Sequence, residues 1–243
     1  HFTYAIAGDG CLMEGVSQEA IGLAGRHELG KLIVFWDNNN ITIDGTVEMT
    51  DRTNQVMRFK ASGWQVLEID GHDPKAIDIS ITAARKSKKP TMIACQTHIA
   101  LGSSAQDTSK GHGALTDAKL IEDARKTYGW TASSFEIPRA LKTAWETVGK
   151  KGIPERDEWA ERLAGVSQNW QNEFERVHTL APSKKIKSVV RALKKQISST
   201  APKIATRKSS EMALNVINPI APETFGGSAD LSGSNNTKSA DMT

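Results

Sequence analysis

Two short clusters in this sequence combine residue types that handle phosphate and hard metal ions. In Gly8-Asp9-Gly10 the glycines permit a tight turn that lets backbone amides approach a ligand closely, and a helix predicted to start near Glu14 would add the positive end of its dipole. That is a place for a phosphate. Asp37-Asn38-Asn39-Asn40 closes an apolar run further along. A carboxylate from Asp9, an amide oxygen from one of the asparagines and a backbone carbonyl just beyond them form the hard-oxygen donor set that Mg2+ or Ca2+ prefers. Diphosphate oxygens would complete the shell. Because Asp9 brings one negative charge, the metal should hold poorly without its anionic ligand, so cofactor and metal are expected to bind as a unit. An Asp-Gly pair by itself is only a common turn signal. The expectation therefore depends on the two clusters lying side by side.

The apolar runs of the chain supply that arrangement. They fall at 2–7, 32–36, 64–69 and 91–96, are flanked by turn residues, and are separated by polar stretches of helical periodicity. Such alternation predicts an α/β fold, a parallel sheet with helices on both faces. In these sheets ligands sit beyond the C-terminal ends of the strands near a topological switch point, and both clusters follow strand ends. From Gly129 onward the pattern turns helical and polar, with helices predicted over 137–148 and 155–177. Trp145, Trp159 and Trp170 lie in them and are expected to anchor helices onto the sheet. A Lys-rich stretch over 184–195 has the spacing of an amphipathic helix with a solvated basic face. Thr200-Ala201-Pro202 then breaks the chain before an apolar helix over 209–217 and the loop Gly226-Gly227-Ser228-Ala229-Asp230. A domain boundary is expected near Leu180-Ala181-Pro182, leaving 1–180 as the diphosphate- and metal-binding domain and 181–243 as the start of a second α/β domain.

A chain of 243 residues suffices for one such domain and part of another. Net charge is only +3, which argues against nucleic acid as a partner. No stretch approaches the roughly 20 apolar residues that span a bilayer, and no signal-peptide pattern occurs, so no membrane partner is expected. Cys11 and Cys95 are far apart without CxxC spacing, which fits a reducing, cytoplasmic setting and no structural zinc. The chain opens without Met directly into an apolar strand and stops as abruptly at Thr243, so it is expected to be an excerpt of a longer protein.

The words around the two clusters narrow the reading. Gly8-Asp9-Gly10 followed by Asn38-Asn39 resembles the motif of thiamine diphosphate enzymes. Gly8-Asp9-Gly10-Cys11-Leu12-Met13-Glu14-Gly15, Leu23-Ala24-Gly25, Ile41-Thr42-Ile43-Asp44-Gly45, Asp70-Gly71-His72-Asp73, Ala205-Thr206-Arg207-Lys208 and Gly226-Gly227-Ser228-Ala229-Asp230-Leu231 resemble transketolases, in family order over nearly the whole chain. The resemblance implies ketol transfer between sugar phosphates with thiamine diphosphate and Mg2+ or Ca2+, in a homodimer whose site lies at the subunit interface. It implies metal ligation by Asp9, the Asn39 side chain and the Ile41 carbonyl, with the Gly10 amide on the diphosphate. Asp230 would contact the cofactor across the dimer, and Glu14 and Glu19 would sit at the interface. His112, in Gly111-His112-Gly113-Ala114, would transfer protons and bind substrate hydroxyls, a task for which imidazole titrates in the right range. Arg207 and Ser234 would bind the sugar phosphate. His27, His72, His98 and His178 match no such motif and are read as ordinary residues. The family glutamate that activates the cofactor and the aromatic pocket for its ring are expected beyond Thr243, so the isolated chain is expected to be inactive. Alternatives are a dihydroxyacetone synthase-like enzyme and a non-catalytic module that retains the fold.

Overall fold

The computed structural model describes residues 1–242 and divides into two compact units, His1–Ile137 and a second from Pro138 on. The first unit is built on four strands: β1 (Thr3–Gly8), β2 (Leu32–Asn38), β3 (Gln65–Asp70) and β4 (Thr91–Gln96). Their order is β1-β2-β4-β3, and every pairing is parallel. The helices of this unit are α1 (Asp9–Met13), α2 (Gly15–Arg26), α3 (Gln55–Ala61), α4 (Pro74–Lys86) and α5 (Ala118–Thr127).

Side chains of a strand alternate between faces, and here both faces are apolar, as a parallel sheet requires. Val34, Trp36, Met92 and Ala94 point one way, onto Leu12, Ile21 and Ala24 of α1 and α2 and Phe59 of α3. Ile33, Phe35, Ile93 and Cys95 point the other way, toward Ala84 of α4. Helices thus cover both faces, as expected. Trp64 joins the first cluster edge-on to Phe59 at 5.0 Å, and its indole N–H donates to the Ile21 carbonyl at 2.9 Å. Burying each such large side chain contributes about 1.5–3 kcal/mol. Gly25 lets α2 press on the turn after α3, since a Cβ there would lie 1.7 Å from the Ser62 carbonyl oxygen.

From Pro138 to Met242 the regular elements described are all helical: α6 (Arg139–Lys150), α7 (Ile153–Ala164), α8 (Gln168–His178), α9 (Ile186–Thr200), α10 (Thr206–Ile217) and α11 (Ser232–Asn235). The single helix predicted over 155–177 is two, because the chain breaks after Gly165 and the Ser167 hydroxyl caps α8 by accepting from the Trp170 N–H. The tryptophans also behave differently from expectation. Trp159 and Trp170 pack on Phe174 at 5.9 and 5.5 Å within the second unit, and Trp145 is 80% exposed. The Arg176 guanidinium, on α8, binds Glu173 and reaches Glu223 at 2.7 and 3.0 Å, so it clamps α8 to the segment after α10.

Candidate cofactor and metal site

Register brings the chemistry to one edge. Gly8 pairs with Asp37, Asp37 with Cys95 and Asn38 with Gln96, so β1, β2 and β4 end at the same level. β3 ends level with β4, Asp70 facing Gln96, and the segments that follow the four strands line a cleft of about 740 Å³ that contains Asp9, Gly10, Asn39, Ile41, Asp44, His72, His98 and His112. The two sequence clusters do lie side by side.

Gly8-Asp9-Gly10 does so without the expected tight turn. Gly8 ends β1 with φ −86°, and α1 starts at Asp9 itself. What the glycines provide is room: a Cβ on Gly8 or Gly10 would meet nothing within 4 Å, so the backbone stays open to a ligand. Asp9 accepts from the Trp36 indole N–H at 2.8 Å and from the Asn40 backbone N–H at 3.0 Å. Burial pushes its carboxyl above the ordinary range; the two hydrogen bonds pull the other way, and the nearby Asp37 adds to the rise. A carboxylate that is costly to charge in this position is relieved by a cation.

Asn39 follows β2 with its side-chain oxygen accepting from the Ile41 N–H at 3.0 Å and its amide donating to Asp37 at 3.3 Å. Asn40 takes the left-handed φ of +67°, which Asn tolerates, and turns the chain into a small hairpin closed by an Ile41–Thr46 bridge and a 2.7 Å bond from the Thr42 N–H to the Gly45 carbonyl. The Asn39 oxygen and the Ile41 backbone are thus held by one loop. Asp37 is fixed in turn by the Thr97 hydroxyl. Among the described residues no three His, Cys, Asp or Glu side chains converge as a metal cluster. The donors here are of mixed kind, one carboxylate, one amide oxygen and one carbonyl, and they fit a hard cation that draws further oxygens from an anionic ligand.

His112 ends a 3-10 turn, Ser109–His112, and lines the same cleft. Gly111 permits this, because a Cβ there would meet the Ala100 Cβ at 2.7 Å and the Ala105 carbonyl at 2.8 Å. His72 and His98, read from the sequence as ordinary, line the cleft as well. Glu14 precedes α2 and Glu19 lies on it; both are exposed and neither lines the cleft. Arg207, Ser234 and Asp230 belong to the second unit. There the Asn236 amide donates to Glu211 at 2.9 Å, which ties the end of α11 to α10, so Arg207 and Ser234 sit on linked elements.

An open parallel sheet with a glycine-lined, oxygen-rich cleft at its strand ends defines an α/β domain suited to a diphosphate cofactor and its cation. Residues 1–185 match the family described as "Transketolase, thiamine diphosphate binding domain". The chain is 53% identical over its whole length to a transketolase of Rhodobacter capsulatus and 46% identical to one of Cereibacter sphaeroides, covering 36% of each. Among solved structures, transketolases of Campylobacter jejuni and Leishmania mexicana superpose with TM-scores of 0.81 and 0.83 at 34% and 32% identity, over 100% and 99% of this chain and 37% and 36% of theirs. The chain belongs to the transketolase family and spans about a third of the length of the curated relatives it matches.

Proposed function

We propose that the chain is the diphosphate- and metal-binding portion of a transketolase, which moves a two-carbon ketol unit from a ketose phosphate to an aldose phosphate in the pentose phosphate pathway. One observation carries the proposal: Asp9, Gly10, Asn39, Ile41 and His112 line a single cleft at the ends of adjacent parallel strands. Thiamine diphosphate supplies the electron sink for breaking the carbon–carbon bond beside the donor carbonyl. The chain's own residues do the rest. Asp9, the Asn39 side-chain oxygen and the Ile41 carbonyl would hold Mg2+ or Ca2+, and the Gly10 amide would donate to the diphosphate. His112 moves protons to and from substrate hydroxyls. Arg207 and Ser234 take the sugar phosphate, and Asp230 reaches the cofactor of the other subunit in a homodimer.

Glu14 and Glu19 belong to the dimer interface in this proposal. Its support is that Val16 and Leu23, on the same helix, are 73% and 54% exposed and need a cover. A domain boundary near residue 180 is supported by the family match ending at residue 185. Two free cysteines support a reducing, cytoplasmic location, and no helix among the described residues is long and apolar enough to cross a membrane. The isolated chain, which spans about a third of the length of its curated relatives, is proposed not to catalyse ketol transfer by itself. Similarity to transketolases of Rhodobacter capsulatus and Cereibacter sphaeroides favours transketolase over a dihydroxyacetone synthase or a non-catalytic module. The test is calorimetry of thiamine diphosphate binding to the full-length enzyme with Mg2+ and with chelator, followed by transfer assays with ribose 5-phosphate and with formaldehyde as acceptors. Metal-dependent binding and a preference for ribose 5-phosphate are expected. Metal-independent binding would refute the site assignment, and preferred use of formaldehyde would refute the acceptor class.

A further inference from the structure

Two imidazoles of the cleft have no part in the function proposed above. The His98 backbone N–H donates to Nε2 of His72 at 3.0 Å, and the two rings stack with centroids 5.7 Å apart and planes 12° apart. On the other side, Nδ1 of His98 lies 3.0 and 2.9 Å from the two carboxylate oxygens of Asp107. Donor chemistry then fixes both tautomers. A nitrogen that accepts carries no proton, so neutral His72 holds its proton on Nδ1. A carboxylate only accepts, so His98 also carries its proton on Nδ1 and keeps Nε2 as its free ring nitrogen.

Asp107 is itself held in place. Its N–H donates to the Ile99 carbonyl at 3.2 Å, the Gln106 amide donates to its carboxylate at 3.2 Å, and its backbone takes a left-handed φ of +56°. His72 and His98 both line the cleft together with His112. The stacked pair therefore offers a ligand one fixed donor, His72 Nδ1–H, beside one fixed acceptor, His98 Nε2. A hydroxyl both donates and accepts, so neighbouring hydroxyls on one carbon chain complement such a pair.

We propose that the His72–His98 stack is a subsite for the hydroxylated chain of the substrate, with His98 Nε2 accepting from one hydroxyl and His72 Nδ1–H donating to the next. The identity of that substrate as a sugar rests on the function proposed above. Asp107 acts as a positioning residue, through the tautomer it imposes on His98.

The experiment uses the full-length enzyme with thiamine diphosphate and Mg2+. Fructose 6-phosphate, which carries a hydroxylated chain, is compared as donor with hydroxypyruvate, which lacks one. His98→Phe keeps the stack and removes the acceptor, so KM should rise about 3- to 10-fold more for fructose 6-phosphate than for hydroxypyruvate, the effect of one lost hydrogen bond. Equal changes for the two donors would overturn the subsite. Should His98→Phe fail to fold, Asp107→Leu, which frees the ring to change tautomer, is expected to shift the same ratio in the same direction by a smaller factor. Nitrogen-15 shifts of labelled histidines in the cofactor-free wild type give a readout independent of catalysis: protons on Nδ1 of both rings support the proposal, and a proton on Nε2 of either overturns it. A wild type that transfers no ketol unit defeats the proposed function instead, and the tautomer measurement still decides the geometry.

Discussion

Replacing Asp9 by Ala separates the residue's part in the fold from its proposed part in holding the cofactor. The substitution deletes two hydrogen bonds, of 2.8 Å from the Trp36 indole and 3.0 Å from the Asn40 N–H. Trp36 is 8% exposed, so its N–H loses its partner in a largely buried position, at a cost of roughly 1–3 kcal/mol. Asn40 is exposed, and solvent replaces its bond. Burial already disfavours the charged form of Asp9, so removing the charge gives part of this loss back. The unliganded protein should therefore lose no more than about 1–3 kcal/mol and remain folded. On the proposed ligation, cofactor binding should suffer more, because the metal would lose its one charged protein ligand. Taking roughly 1.5–3 kcal/mol for a charged interaction gives about 10- to 150-fold weaker binding of thiamine diphosphate in Mg2+. Asn39→Ala removes a neutral oxygen and should cost about 2- to 10-fold. Urea unfolding of the chelated, cofactor-free enzyme measures the first quantity and calorimetry with Mg2+ the second. An Asp9→Ala enzyme that binds cofactor within twofold of wild type, or less damage from Asp9→Ala than from Asn39→Ala, would refute the reasoning.

Three further outcomes are expected. Gly25→Ala drives a methyl group to 1.7 Å from the Ser62 carbonyl oxygen, so the turn after α3 must move away from α2; urea unfolding should show a loss of about 1–3 kcal/mol or more, and unchanged stability would contradict the packing described. His112→Ala in the full-length enzyme should lower kcat by about 10²- to 10⁴-fold with thiamine diphosphate affinity nearly unchanged, whereas weakened cofactor binding with normal turnover at saturation would show the residue to be misassigned. Arg207→Ala should raise KM for phosphorylated sugars more than for unphosphorylated ones by roughly 1.5–3 kcal/mol, and equal losses for both would remove it from phosphate recognition.

The residue order alone determined the alternation of strands and helices, because a strand buried on both faces must be written as a continuous apolar run, as residues 92–95 are within β4. It also placed Asp9 and Asn39 each in a local motif at the end of a strand, while the pairing of β1 with β2 is what sets the two motifs side by side. Other features had no local signature. The five residues of α1 are too few to display a helical period, so the strand-to-helix passage at Asp9 was legible only as a turn. The break between α7 and α8 was hidden because the apolar periodicity carries on across Gly165-Val166-Ser167. The bond from Trp36 to Asp9 spans 27 residues and that from His98 to His72 spans 26. His72 follows β3 and His98 follows β4, and they meet only because Asp70 and Gln96 are register partners in the sheet. Strand order and register arise from packing the whole sheet between its helices, a non-local outcome that no stretch of sequence contains, and they brought two unremarkable histidines together in the cleft that Asp9 and Asn39 line.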